Sequence, residues 1–87
     1  MEHEQKIDVK QALRVFDKIT KNGEKTAEGW RYRGLTAETD FDGYTVFIRS
    51  QNVELTIFFH NKFTVNYSRA LDLENFIELM NKIDRST

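Results

Sequence analysis

The stretch from Ala37 to Ile57, AETDFDGYTVFIRSQNVELTI, decides the fold of this chain. Apolar and polar residues alternate on both sides of Asp42-Gly43, and that dipeptide suits a two-residue type I′ turn, which needs positive φ at both central positions. A hairpin closed there pairs Phe41 with Tyr44, Thr39 with Val46 and Ala37 with Ile48 on one face. Asp40 then meets Thr45 and Glu38 meets Phe47 on the other. A second turn around Gln51-Asn52 sets Ile48 opposite Leu55, Val46 opposite Ile57 and Tyr44 opposite Phe59. The same register brings Arg49 opposite Glu54, so an ion pair on one face agrees with apolar pairs on the other.

Downstream, a three-residue loop His60-Asn61-Lys62 preserves this parity and places Phe59 with Phe63, Ile57 with Val65 and Leu55 with Tyr67. Upstream, Trp30 and Tyr32 fall on the parity opposite to Leu35 and Ala37, which a bulge at Gly34 reconciles. Both ends of the chain are helical in pattern. Val9, Ala12, Leu13, Phe16 and Ile19 form one apolar stripe, predicting a helix over Val9–Asn22. Asp8 is its N-cap, Ile7 its staple, Lys18 and Lys21 its favourable C-terminal charges, and Gly23 its left-handed C′ residue. Leu73, Phe76, Ile77, Met80 and Ile83 repeat the spacing behind Asp72, a candidate cap for a second helix. The predicted fold is α+β in the order α-β-β-β-β-α. A four-stranded antiparallel meander carries both helices on the face bearing Val46, Ile48, Leu55, Ile57, Phe59, Val65 and Tyr67.

With 87 residues, there is room for a single domain over 1–87, with residues 1–6 as a flexible tail, and little room for a deep enclosed substrate cavity. Charged residues make up 31% of the chain but the net charge is −1, so no global field draws it to nucleic acid or anionic membrane. The absence of cysteine removes disulfides, thiolate metal sites and a cysteine nucleophile, as suits a reducing cytosol. No run resembles a signal peptide or a membrane span, so a cytoplasmic protein without membrane association is expected.

Chemistry-bearing motifs are sparse. The four glycines stand singly at 23, 29, 34 and 43, so no phosphate-cradling loop is present. The histidines, His3 in the tail and His60 in a turn, give neither a zinc pair nor a base oriented by a second group. Glu38, Asp40 and Asp42 alternate along one strand face, where a weak divalent-ion site is conceivable, although a solvated acidic face explains the run better. No nucleophile, base and orienting group converge, so no catalytic residue, cofactor, metal or small-molecule ligand is expected and the chain does not read as an enzyme.

The outer sheet face, bearing Thr45, Phe47, Arg49, Thr56, Phe58, Thr64 and Asn66, is the informative one. Phe47 and Phe58 fall on a diagonal of adjacent strands, beside Arg49 and a further arginine, Arg31 or Arg33. A partner-binding set of Phe47, Phe58, Arg49, Thr45 and Thr56 suits protein-protein contact with another protein or a second copy of the chain. The same aromatic and cationic groups could stack single-stranded nucleic acid, although Glu38, Asp40 and Glu54 on that face would repel a phosphate backbone. Burial of both rings as core under a helix, the N-terminal segment or Trp30 is the structural alternative.

Four stretches, Asp8-Val9-Lys10-Gln11-Ala12-Leu13, Gly29-Trp30-Arg31-Tyr32, Leu35-Thr36-Ala37-Glu38-Thr39-Asp40 and Phe58-Phe59-His60-Asn61-Lys62, resemble a small family of uncharacterised bacterial proteins known as a domain of unknown function. The resemblance implies a bacterial cytosolic protein and carries over no activity, cofactor or catalytic residue.

Overall fold

The computed structural model describes residues 7–58 and 62–86. Asp8 opens the first helix, α1 (Val9–Asn22), by accepting from the Lys10 N–H at 3.0 Å, which satisfies one of the donors left free at a helix start. Six strands follow: β1 (Glu24–Thr26), β2 (Gly29–Tyr32), β3 (Leu35–Thr39), β4 (Val46–Arg49), β5 (Val53–Ile57) and β6 (Phe63–Tyr67). The second helix, α2 (Ala70–Arg85), completes the order. The strands form one antiparallel sheet in sequence order, with β1 and β6 at its edges. The α+β class and the meander stand, but the sheet has six strands rather than the four expected.

The two additional strands lie where one bulged strand was expected: Glu24–Thr26 forms β1, and β2 and β3 are separate strands. Trp30 pairs with Ala37 and Tyr32 with Leu35, so Arg33-Gly34 is a two-residue hairpin turn and not a bulge. Both residues have positive φ, 51° and 90°, as a type I′ turn requires. At Asp42-Gly43 only the glycine is left-handed, at 79°, which excludes type I′. The link there is a longer loop in which the Gly43 N–H donates to the Asp40 C=O at 3.1 Å and the Asp40 N–H to the Thr45 C=O at 3.0 Å. Phe41 and Tyr44 therefore lie exposed in that loop and do not pair on the inner face.

The register read from the alternation holds through β3, β4 and β5: Thr39 meets Val46, Ala37 meets Ile48, Glu38 meets Phe47, Ile48 meets Leu55 and Arg49 meets Glu54. Between β5 and β6 it moves by two residues. Ile57 pairs with Phe63, Leu55 with Val65 and Val53 with Tyr67, and the Phe58 N–H donates to the Lys62 C=O at 2.7 Å. A two-residue slip keeps every side chain on its expected face, which is why hydrophobic parity did not distinguish the two registers. The expected pairings of Phe59, the His60 turn and the 1–6 tail with His3 lie outside the described residues.

The inner face packs Leu35, Ala37, Ile48, Leu55 and Ile57 against both helices, with Trp30 and Tyr32 on the same side at the margin of the core. From α1 the buried residues are Ala12, Val15 and Ile19. Leu13, expected in the stripe, is 38% exposed, because the helix is rotated so that Val15 takes the core position. Gly23 does not adopt the left-handed conformation either; its φ is −86°. A side chain there would meet the carbonyl oxygens of Arg31 and Ile19, both 2.5 Å from a Cβ, so close backbone approach explains the glycine. In α2 the cap position falls at Arg69, without a side-chain bond, and Asp72 lies inside the first turn, paired with Arg69 at 3.4 Å.

Polar side chains tie the two helices together over this core. Gln11 donates to Asn81 at 2.7 Å, and Arg14 binds both carboxylate oxygens of Asp84 at 2.9 and 3.0 Å. Lys18 donates to the main-chain carbonyls of Ile83, Asp84 and Ser86. Its charge therefore serves the negative end of α2 rather than that of its own helix.

Candidate functional site

With both helices on one face, the opposite face of the sheet is left without a packed element among the described residues. Strand pairing organises it into rows. One row runs Glu24, Arg31, Thr36, Arg49, Glu54 and Asn66 from β1 to β6, and the next runs Glu38, Phe47, Thr56 and Thr64 from β3 to β6. Thr45 and Phe58 extend β4 and β5 by one residue beyond the Val46/Ile57 pair. Phe47 opposes Thr56, so Phe58, two positions on, is its diagonal neighbour on the same face. The five residues Phe47, Phe58, Arg49, Thr45 and Thr56 thus share one surface. Phe58 is 42% exposed and Phe47 is half-buried.

Arg49 organises the centre of this surface. Its Nη1 lies 2.8 Å from Glu38 Oε1 and its Nε 2.9 Å from Glu54 Oε2, while the guanidinium carbon is 5.2 Å from the centre of the Phe47 ring. Hydrogen bonds to Glu54 and then Glu38 push the Arg49 pKa upward, against the opposing effect of partial burial. A planar fork can hold two carboxylates and an aromatic face at once, which an ammonium cannot. The other arginines do not join the set. Arg31 stands on β2 between Glu24 and Thr36, and Arg33, in its turn, packs over the Tyr32 ring at 5.3 Å.

The acidic run is split by the same geometry. Glu38 is engaged by Arg49, and Asp40 folds back on its own loop, accepting from the N–H groups of Gly43 at 2.7 Å and Thr45 at 3.3 Å. Lost hydration pushes the Asp40 carboxyl up, but the backbone bonds to Thr45, Gly43 and Tyr44 outweigh it and hold the group below its ordinary value. Asp42 stays exposed in the loop. Among the described residues no three His, Asp or Glu side chains gather as a metal site would need. An open depression of about 500 Å3 beside the Ser50–Asn52 turn is lined by Arg49, Gln51, Glu54, Asn66 and Ser68 among others. Its charged groups are the two that already neutralise each other.

Phe41 and Tyr44 were missed as surface residues. They belong to the β3–β4 loop that leads into Thr45, at the end of the sheet where Phe58 lies, and both are largely exposed. Asp40 was the available signal: with its carboxylate bonding the backbone up to five residues on, the chain needs more than two loop residues.

These features define a small α+β domain with two helices on one face of a six-stranded antiparallel meander and an open, mixed-charge face with exposed aromatic rings. The chain belongs to the family described as a protein of unknown function, DUF3081, whose model matches residues 7–87. No curated protein and no solved structure matches it. No helix among the described residues is long and apolar enough to cross a membrane.

Proposed function

We propose that the chain is a non-catalytic cytosolic accessory module that docks a protein partner on its outer sheet face. The observation that carries this is the 42% exposure of Phe58 on a face where no helix packs, next to the half-buried Phe47. Apolar rings rimmed by charges of both signs are the usual composition of a protein-protein contact. Arg49 is already bound to Glu38 and Glu54, so the face offers a phosphate backbone little net attraction and two carboxylates to repel it.

The partner should therefore present an apolar patch with a mixed polar rim. Co-purification of such a partner with the tagged chain should be lost on Phe58→Ser and kept on Leu13→Ser, which alters an exposed leucine on the opposite side of the molecule. Loss with both variants, or with neither, would remove the outer face as the site. Salt-sensitive NMR shifts at Phe47, Phe58 and Arg49 on adding single-stranded oligonucleotides would instead assign the face to nucleic acid.

A further inference from the structure

A strand at the edge of a sheet leaves a row of N–H and C=O groups unpaired, and proteins generally blunt such edges with charge, proline or brevity. The two edges here are treated differently. β1 is three residues long and carries Glu24 and Lys25. β6 is five residues long and reads Phe-Thr-Val-Asn-Tyr, without charge, proline or glycine and rich in strand formers. Antiparallel ladders alternate hydrogen-bonded and non-bonded pairs. The bond from the Phe58 N–H to the Lys62 C=O makes the Thr56/Thr64 and Glu54/Asn66 pairs the bonded ones. The main-chain groups of Phe63, Val65 and Tyr67 accordingly turn away from β5 toward the open edge.

We propose that β6 is a self-pairing edge, at which two copies of the chain join antiparallel about a two-fold axis through Val65. The outward groups are placed symmetrically about that residue. In this register Val65 bonds the partner's Val65, and Phe63 bonds the partner's Tyr67, so every outward donor and acceptor of the strand is used. An aromatic side chain then stands opposite an aromatic on the helix-bearing face, and Thr64 stands opposite the partner's Asn66 on the outer face. The strand itself carries no charge to repel the copy. A second copy is favoured over an unrelated extended segment because the strand complements its own reverse in both hydrogen bonding and side-chain type. Pairing is independent of the docking proposed above and would merge the two outer faces into one longer surface.

The test uses the full chain in sedimentation equilibrium from micromolar to millimolar concentration, with residue-resolved hydrogen exchange at both ends of that range. A dimer should form, and the amides of Phe63, Val65 and Tyr67 should exchange about tenfold or more slowly at high than at low concentration. Thr64→Lys/Asn66→Lys, which sets like charges across the pair, should weaken association by about tenfold or more. Thr64→Lys/Asn66→Glu, which sets opposite charges at the same sites, should preserve it. Phe58→Ser, on the outer face, should leave the dimer intact while abolishing partner docking, so the two proposals fail separately. A monomer throughout the range would overturn self-pairing. So would a dimer whose three edge amides exchange as fast as in the monomer, or equal dissociation by the like-charge and opposite-charge variants.

Discussion

Arg49 lies over the face of Phe47, its guanidinium carbon 5.2 Å from the ring centre, and the same group bonds Glu38 on one neighbouring strand and Glu54 on the other. The ring is thus partly covered by a cation, and the cation is itself neutralised. This leaves Phe58 as the more accessible aromatic of the pair and makes Arg49 the clamp across β3, β4 and β5.

Removing that clamp should cost more than one exposed ion pair. Arg49→Ala leaves two carboxylates flanking an uncovered ring, and a loss of about 1 kcal/mol is expected after allowing for solvent screening at this partly exposed site. Arg49→Lys should recover less than half, because an ammonium lacks the fork geometry. Urea midpoints at low and high salt check both, and the loss should shrink as salt rises.

The core contrast within the helices is sharper. Phe76 is fully buried, whereas Leu13 is 38% exposed. Phe76→Ala should cost about 3 to 5 kcal/mol, while Leu13→Ala should cost less than about 1 kcal/mol. Val15→Ala should fall between them, since Val15 is fully buried in the core. Equal losses for Leu13→Ala and Val15→Ala in denaturant melts would contradict the observed rotation of α1.

The turns make an opposite-sign prediction. Arg33 holds a φ of 51°, and this conformation costs an ordinary L-residue about 1 kcal/mol or more. Arg33→Asn supplies the Asn-Gly pair that a type I′ turn prefers, so stability should rise by about 0.5 kcal/mol once the lost contact with Tyr32 is counted. Gly43→Ala should cost about 1 kcal/mol, for its φ of 79° and not for space, as no atom lies within 4 Å of the added carbon. Thermal melts of the two variants should move in opposite directions.

Acid should loosen the contact between the helices. The bond from Arg14, greater than the opposing effect of lost hydration, holds the Asp84 carboxyl below its ordinary 3.8. A depressed folded-state value stabilises the protein at pH above the unfolded-state value, and that contribution disappears as pH falls through the folded one. Asp84→Asn should therefore lower stability at neutral pH and flatten the decline below about pH 4. Urea midpoints measured across the acid range check it, and an unchanged slope would exclude Asp84 as a contributor.

The amino-acid order by itself determined those features whose signals are local. Asp8 ahead of an amphipathic run sets the start of α1, and the two-residue periodicity of the segments between Ala37 and Ile57, reinforced by Arg49 opposite Glu54, sets the register of three strands and the composition of the outer face. The tertiary structure decided what local signals leave degenerate. Glu24-Lys25-Thr26 has no apolar alternation and becomes a strand only because β2 offers it a ladder, and this strand, with the division of one expected strand into β2 and β3, brings the count to six. The type I′ turn moved to Arg33-Gly34 because the pairing of Tyr32 with Leu35 imposes a left-handed arginine that no propensity suggests. Two registers of β6 share one parity, and two rotations of α1 differ in whether Leu13 or Val15 is buried in the core, so packing chose between them. Whether Phe58 stays in solvent depends on which face both helices cover, and that is settled only when the chain closes around a single core.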